Sequence, residues 1–257
     1  MKRRAVEAMV VVVPVRNEAE LLGASLVALA SAVDAAREAQ LRCEVRIVLD
    51  ACTDSSAEVA AASDFEVLHC DAARVGAARR LGIAAALRAV DDLPADRVWI
   101  ANTDADSRVP ADWLTHQHAL SRAADIWLGT VRPDFDDLSS IQREHWVRTH
   151  ARGRTNRNIH GANLGLRAQS YIDAGGFASI GEHEDVDLVT RCRALGSVAV
   201  GSDEAEVITS GRFVGRAPGG YADFLRRQAV ELVEDPSRES GWEGRTARPS
   251  TGVRSAE

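Results

Sequence analysis

A continuous apolar run near the start of the chain, MVVVVPV at residues 9–15, constrains the fold more than any other stretch. Apolar β-branched residues without polar alternation are typical of a strand that is buried on both faces. The run is far too short to span a bilayer, so it does not indicate a transmembrane segment. It predicts a central strand with helices packed on both sides of its sheet.

Segments with helical apolar spacing alternate with short apolar runs through the first half of the chain. Alternation of this kind implies right-handed crossovers and a mostly parallel sheet, so it predicts an α/β fold. The predicted helices are residues 18–40, 55–63 and 74–90, and the further predicted strands are residues 43–50, 65–70 and 97–102.

The second half of the chain is less regular. Its pattern predicts a strand at 124–131, a helix at 136–153, a turn, strand and helix within 159–177, a helix at 181–196, a strand pair within 197–212 and a helix at 219–233. We expect residues 1–235 to form one domain with halves at about 9–130 and about 131–235. Residues 236–257 are polar and contain proline and glycine, which predicts a disordered tail.

Charge and cysteine usage exclude some partners. The chain has 257 residues and a formal net charge of −7. Phosphate neutralisation needs a basic surface, so nucleic-acid binding is not expected. The four cysteines show no CxxC spacing, which favours small buried side chains over disulfides or a metal finger. No signal-type hydrophobic region follows the basic start MKRR, so we expect a cytoplasmic protein, with peripheral contact at the inner membrane face left open.

Polar residues follow the predicted strands of the first half. Ligands bind at the carboxyl ends of the strands in such sheets, so these residues are the first candidates for a site. No GxGxxG or GxxxxGK[ST] motif occurs, which leaves a dinucleotide fold and a P-loop unsupported. The candidates are Pro14, Arg16, Asn17 and Glu18 after the first strand, Asp50, Thr53 and Asp54 after the second, and Asp104 and Asp106 after the fourth.

Asp104 and Asp106 stand one residue apart at the end of an apolar strand, where their charges repel each other. In one interpretation they form a turn in which Asp106 or Ser107 caps a helix that starts near Pro110. In the other they bind a divalent cation, since Mg²⁺ and Mn²⁺ prefer hard oxygen ligands and often take only one or two carboxylates, with phosphates completing the shell.

Six ordered stretches of the chain resemble motifs of the family 2 glycosyltransferases, which have the GT-A fold. They are VVVPVRNEAELL, IVLDACTDSSAEVA, VGAARRLGIAAA, IANTDADSRVPADWL, HGANLGLRAQSYIDAGGF and EHEDVDLVTRCRALG. They are similar, in order, to the family's P-x-x-N-E strand, V-D-D-G-S-x-D-x-T segment, G-x-x-x-A-R-N-x-G helix start, D-x-D strand, acceptor-side loop and E-D-x-x-L-x-x-R helix. The resemblance covers roughly residues 9–233.

The resemblance implies a hexosyltransferase that moves a sugar, with inversion, from a nucleotide-diphosphate sugar to a hydroxyl of a small molecule, lipid or glycan. It implies Mg²⁺ or Mn²⁺ as cofactor, with Asp106 as a direct ligand and Asp104 as a ligand through water or a contact to the donor. Residues 9–130 would then bind the nucleotide sugar and residues 131–235 the acceptor. Matching ED to the family motif makes Asp185 the candidate base, with Glu184 beside it and His183 a lesser candidate.

The remaining site residues lie in these stretches, on the predicted 136–153 helix and in the glycine-bounded segment SGRFVGRAPGG. Several have a structural alternative. Asp50 could cap a turn, Glu18 could lie in a first helical turn and Trp146 could pack in the core. Arg212 and Arg216 could lie on a surface loop. The predicted donor contacts are Pro14, Val15, Arg16, Glu18, Asp50, Arg79, Asp104 and Ala105, the acceptor contacts are Gly161, Ala162, Asn163 and Trp146, and the diphosphate contacts are Arg212 and Arg216.

Several positions depart from the family pattern. Leu49 and Ala51 stand where the family often has Asp and Gly, Arg80 stands where it often has Asn, and no histidine follows the acidic helix as a further metal ligand. Two other functions compete: a nucleotidyltransferase, against which the glycine-free PVRNEAE counts, and a non-catalytic nucleotide-sugar-binding module. The sequence indicates neither the donor nucleotide nor the oligomeric state.

Overall fold

A computed structural model describes residues 3–150, 158–180, 182–215 and 220–234, and the predicted tail at 236–257 lies outside this part of the chain. The described residues form eight strands and eight α-helices. The strands are β1 (Ala8–Val15), β2 (Arg42–Asp50), β3 (Glu66–Cys70), β4 (Val98–Asn102), β5 (Ser107–Arg108), β6 (Ile126–Pro133), β7 (Leu164–Arg167) and β8 (Ala199–Thr209). The helices are α1 (Ala19–Glu38), α2 (Ser56–Ala61), α3 (Val75–Arg88), α4 (Trp113–Leu120), α5 (Ser140–Thr149), α6 (Ala168–Asp173), α7 (Glu184–Ala194) and α8 (Tyr221–Glu234).

All eight strands belong to one sheet with the order β3-β2-β1-β4-β7-β6-β8-β5. Strands β3, β2, β1 and β4 run parallel, as their crossover helices require. Strand β7 is antiparallel to β4 and β6, and β8 runs parallel to β6. The α/β prediction is confirmed, and the strands of the second half extend the sheet of the first.

Strand β1 is buried on both faces, as its continuous apolar run predicts. Val11 and Val13 pack in the core under α1, while Val10 and Val12 pack on the other face against Ile83 of α3. Burial of each such side chain stabilises the fold by roughly 1.5–3 kcal/mol. Two cores, one on each face of a central strand, therefore hold the carboxyl edge of the sheet in place.

Helix α1 has the length and composition of a helix that could cross a membrane. Its apolar residues Leu22, Leu26, Leu29 and Val33 are buried in the core on one face of the sheet. The amphipathic packing of α1 is that of a core helix.

Two predicted elements differ from the structure. The segment 197–212 contains a single strand, β8, and not the predicted strand pair. The strand pairs along the whole of β6, with a register shift between Gly129 and Val131, instead of folding back on itself. The helix predicted at 136–153 begins later, at Ser140, because Ser139 and Gln142 form a capping box there.

The two-residue strand β5 is absent from the sequence prediction. It pairs antiparallel with the end of β8, so that Ser107 lies opposite Thr209 and Arg108 opposite Ile208. This pairing brings the chain after Asp106 to the chain before Ser210. It joins the two halves of the molecule at the edge where the candidate site lies.

Candidate functional site

The acidic residues that the sequence places after the strands converge at the carboxyl edge of the sheet, and basic residues from later in the chain join them. Glu18 follows β1, and Asp104 and Asp106 follow β4. Arg212 follows β8 and is paired with two of these carboxylates. Residues from both halves of the chain thus form one charged cluster.

One part of this cluster is centred on the guanidinium group of Arg212. Its Nη1 and Nη2 atoms donate to Glu18 Oε2 and Oε1, each at 2.6 Å, as a bidentate pair. Its Nη2 also donates to Asp106 Oδ2 at 2.9 Å. The antiparallel pairing of β5 with β8 places the two partners side by side, because Asp106 directly precedes β5 and Arg212 closely follows β8.

Asp106 is held by further bonds from β5 and β8. Its Oδ1 atom accepts from the hydroxyls of Ser107 and Thr209 at 3.3 and 3.4 Å. Burial and the neighbouring Asp104 carboxylate raise the pKa of Asp106 to about 6, although Arg212 acts in the opposite direction. The repulsion that the sequence suggests therefore persists in the fold and favours a cation beside this pair. Neither hydroxyl was predicted as a partner of Asp106, since a two-residue strand leaves no periodic signal in the sequence.

The helix-cap interpretation of Asp106 and Ser107 is wrong. Helix α4 begins at Trp113 and its N-cap position is Asp112. Ser107 belongs to β5 instead. The side chains of Asp106 and Ser107 are engaged with Thr209 and Arg212, far from the start of that helix.

Arg79 forms the second basic centre. It is 3% exposed at its side chain, and its Nη2 atom donates to Asp104 Oδ1 at 2.6 Å. Its Nη1 atom donates to Glu184 Oε1 at the first position of α7. The structure thus turns Arg79 into the protein, between two carboxylates, whereas the sequence predicted that it would reach the nucleotide. The neighbouring Arg80 is exposed.

Asp185 lies at the start of α7, beside the Arg79–Glu184 pair. Burial and the charge of Glu184 raise the pKa of Asp185 to about 6, while Arg79 and the backbone N–H groups of Val186 and Gly161 act in the opposite direction. The Val186 N–H donates to Asp185 Oδ1 at 2.8 Å. A carboxyl group with such a pKa can both accept and release a proton near neutral pH.

Asp50 clamps the loop that precedes α3. Its Oδ1 accepts from the Ala73 N–H at 2.8 Å, and its Oδ2 accepts from the Arg74 N–H at 2.7 Å. The structural alternative for Asp50 was a cap on the turn directly after β2, but the carboxylate bonds the β3–α3 loop instead. A nucleobase contact by Asp50 would have to use the remaining lone pairs of the same two oxygens.

The turn after β1 is held by side chains that follow β2. The Asp54 carboxylate accepts from the Ala19 N–H at 3.0 Å and from the Ser56 N–H at 3.0 Å, and so caps α1 and α2 together. Arg16 is exposed and donates to the Ala73 carbonyl at 3.1 Å. Pro14 is partly exposed and Val15 is buried, and Ala105 between the two aspartates is 3% exposed.

The predicted acceptor residues divide into two groups. Gly161–Asn163 form a 3-10 turn whose first residue contacts the Arg79 guanidinium. Asn163 is fully buried, and its amide accepts from Trp113 Nε1 at 2.8 Å and donates to the Thr130 carbonyl at 2.7 Å. Trp146 is 8% exposed and stacks on His150, so it packs in the core. Arg216 lies outside the described residues.

The charge balance of the cluster decides which ligand it can accept. Five carboxylates, those of Glu18, Asp104, Asp106, Glu184 and Asp185, face two guanidinium groups, those of Arg79 and Arg212. An anionic diphosphate would be repelled here without an added cation. In the part of the chain that the structure describes, no group of three or more His, Cys, Asp or Glu side chains forms a metal site by itself. The donor set fits a cation such as Mg²⁺ or Mn²⁺ that takes one or two carboxylates and completes its shell with phosphates.

The candidate site lies at the carboxyl edge of an α/β sheet, where ligands bind in proteins of this architecture. The model of glycosyl transferase family 2 matches residues 10–180. The chain belongs to this family, and its fold is GT-A.

Solved structures support the assignment of the fold. S. aureus TarS 1-349 in complex with UDP aligns with a TM-score of 0.57 and 15% identity, over 90% of this chain and 67% of that one. The mannosyltransferase PcManGT from Pyrobaculum calidifontis, in complex with GDP-Man and Mn²⁺, aligns with a TM-score of 0.56 and 20% identity, over 90% of this chain and 63% of that one. The search of curated proteins found no match.

Proposed function

We propose that this chain is a divalent-cation-dependent, inverting hexosyltransferase that uses a nucleotide-diphosphate sugar as donor and a hydroxyl group as acceptor. The observation that carries the proposal is the single charged cluster in which Asp104 and Asp106 lie between Arg212 on one side and the Arg79–Glu184 pair on the other. The cluster provides separate groups for the leaving diphosphate and for the attacking hydroxyl.

The donor would bind along the carboxyl edge of β1 and β4. Pro14 and Arg16 are the partly or fully exposed residues after β1 and would contact the base and ribose. Val15, Glu18, Asp50 and Ala105 would line the same pocket. The TarS structure holds UDP and the PcManGT structure holds GDP-Man, both on the same fold, which supports a nucleotide donor of this class.

Asp106 and Asp104 would hold the divalent cation. Among the described residues no hydrogen bond reaches Asp104 Oδ2, while Oδ1 is held by Arg79. A bound Mg²⁺ or Mn²⁺ would neutralise the departing diphosphate as a Lewis acid. Arg212 can leave Asp106 and donate to the diphosphate, since a guanidinium fork suits phosphate as well as carboxylate.

Asp185 would remove the proton from the acceptor hydroxyl. Its raised pKa matches a general base that works near neutral pH. Gly161 and Ala162 would line the acceptor side with their backbone, next to Asp185. The buried amide of Asn163 and the buried Trp146 would support this wall from behind. The acceptor would be a hydroxyl of a small molecule, lipid or glycan, and the cytoplasm the place of reaction.

Calorimetry of nucleotide binding tests the proposal directly. UDP, GDP and dTDP would each be titrated into the protein with Mn²⁺, with Mg²⁺ and with a chelator. We expect one nucleotide to bind in a cation-dependent manner, and the corresponding sugar nucleotides to be consumed when acceptors are added. If none of the three binds with either cation, the proposal is wrong.

A binding module of the same fold would bind the nucleotide without turnover. The variant Asp185→Asn separates the two cases because it leaves the donor edge intact. In an enzyme it would slow transfer by about 10²–10⁴-fold while nucleotide affinity stays within about threefold, as expected for a group that acts mainly in the transition state. A binding module would transfer no sugar with or without the substitution, and its nucleotide affinity would not change.

A further inference from the structure

Arg79 connects the donor edge of the sheet to the helix that carries the proposed base. Its guanidinium donates to Asp104, which follows β4, and to Glu184, which opens α7 and precedes Asp185. These partners are 25 and 105 residues away in the chain. Among the described residues, no other side chain bonds both to a carboxylate at the donor edge and to a carboxylate at the start of α7.

The surroundings of Arg79 hold its guanidinium in one place. The Phe177 ring lies 5.5 Å from its Cζ atom. The backbone of Gly161 covers it so closely that an added Cβ would lie 2.5 Å from Nη2. Arginine is almost never this buried unless it is paired, and here both pairs are strong and charge-assisted.

We propose that Arg79 is a positioning residue that orients Asp104 toward the donor and holds the N-terminus of α7, with Asp185, at a set distance from it. This inference rests on the proposed function. Because Oδ1 of Asp104 is held by Arg79, the second oxygen is directed to the ligand. Because Glu184 is held by the same guanidinium, a shift of α7 cannot occur without a change at Asp104.

A lysine at position 79 would keep the positive charge but lose the planar guanidinium group that bonds two carboxylates at once. An ammonium group is a single point charge and cannot bridge the two carboxylates with fixed geometry. In Arg79→Lys we therefore expect at least about a tenfold loss of affinity for the Mn²⁺–nucleotide complex, which corresponds to one lost charge-assisted hydrogen bond. The control is Arg80→Lys, the same change at the exposed neighbouring residue, for which we expect no change in affinity.

The pH profile of kcat/KM distinguishes positioning from a merely structural role. Among the described residues, the charged groups that shift the pKa of Asp185 are Glu184, which raises it, and Arg79, which lowers it. Arg79→Lys should move the acid limb to higher pH, because the lysine charge lies farther from Asp185. Glu184→Gln should move the same limb to lower pH, because one neighbouring negative charge is lost.

The outcomes separate the two proposals. If the unchanged protein binds no nucleotide with Mn²⁺, the proposed function fails before any variant is made. If it binds and turns over, and both variants keep its affinity and its acid limb, the inference about Arg79 is wrong. Circular dichroism and thermal melting check that each variant is folded. If Arg79→Lys does not fold, the affinity of Glu184→Gln for the Mn²⁺–nucleotide complex decides the question, because Glu184 reaches the donor edge through Arg79: a loss of affinity supports the inference, and an unchanged affinity overturns it.

Discussion

Arg212 Nη2 lies 2.9 Å from Asp106 Oδ2, so a guanidinium group occupies one side of the carboxylate that we propose as a direct metal ligand. The same Arg212 also binds Glu18 at both oxygens. Without a ligand, this arginine offsets part of the repulsion of Asp104, Asp106 and Glu18. A divalent cation at Asp106 would compete with it, and a diphosphate would give it a new partner.

This relationship predicts effects of opposite sign for Arg212→Met. Affinity for Mn²⁺ alone should rise at least about threefold, because the competing positive charge is gone. Affinity for the nucleotide diphosphate with Mn²⁺ should fall about tenfold, because one charge-assisted contact to phosphate is lost. Titration calorimetry measures both, and Arg226→Met on α8, where the arginine is 59% exposed at its side chain, is the matched control. A fall in both affinities would contradict the competition.

Asp185→Asn is expected to stabilise the protein at alkaline pH while it slows transfer. The folded-state pKa of Asp185 is about 6, above its unfolded value, so its contribution to stability is present below pH 4 and is lost as the pH rises through 6. At pH 8 the variant should gain about 3 kcal/mol, and at pH 4 almost nothing. Turnover should fall by about 10²–10⁴-fold.

Urea unfolding of Asp185→Asn at the two pH values measures the stability effect. The control is Asp187→Asn on the same helix, whose carboxylate is 38% exposed and pairs with Arg191. That variant should lose a little stability or none at pH 8. Equal stability of Asp185→Asn and the unchanged protein at pH 8 would show that the buried charge costs nothing.

The pH dependence of transfer should follow the same group. A base must be deprotonated to act, so kcat/KM should decrease as the pH falls below about 6. Saturating Mn²⁺ would be present to keep Asp106 ionised. Initial rates between pH 4.5 and 9 would be measured, a range chosen to bracket that limb. An acid limb near pH 4, where an unperturbed Asp titrates, would argue against Asp185 in its present environment as the base.

Ala51 is strained and should be improved by glycine. Its φ is +51°, in the left-handed region that glycine adopts without steric cost, and it stands where the family often has Gly. We expect Ala51→Gly to stabilise the protein by roughly 0.5–1 kcal/mol, the left-handed penalty less the entropy cost of glycine. In urea the midpoint should rise with an unchanged slope.

Ala85→Gly within α3 is the control for this substitution. That residue is helical, so glycine there should destabilise by about 1 kcal/mol. If both substitutions destabilise, the backbone at Ala51 is relaxed in solution, and the strain argument does not hold.

The amino-acid sequence was enough to predict the class of fold and the edge of the sheet on which the candidate site lies. The unbroken apolar run of β1 indicated a strand buried on both faces, and alternation with helices made its neighbours parallel. Carboxyl ends of parallel strands meet at one edge, which predicted that Glu18, Asp104 and Asp106 lie close together. These features depend on periodicity and on nearest neighbours in the chain, which are local.

The contacts of those residues depend on the three-dimensional packing of the chain. Arg212 meets Asp106 across 106 positions because the two-residue strand β5 pairs with β8, and so short a strand leaves no pattern to detect. Arg79 meets Glu184 across 105 positions because α3 and α7 pack at the same edge. An arginine is buried where the sheet topology brings acidic side chains to its helix. The register of the strands and the packing of the helices set that arrangement, and no single segment of the sequence encodes it.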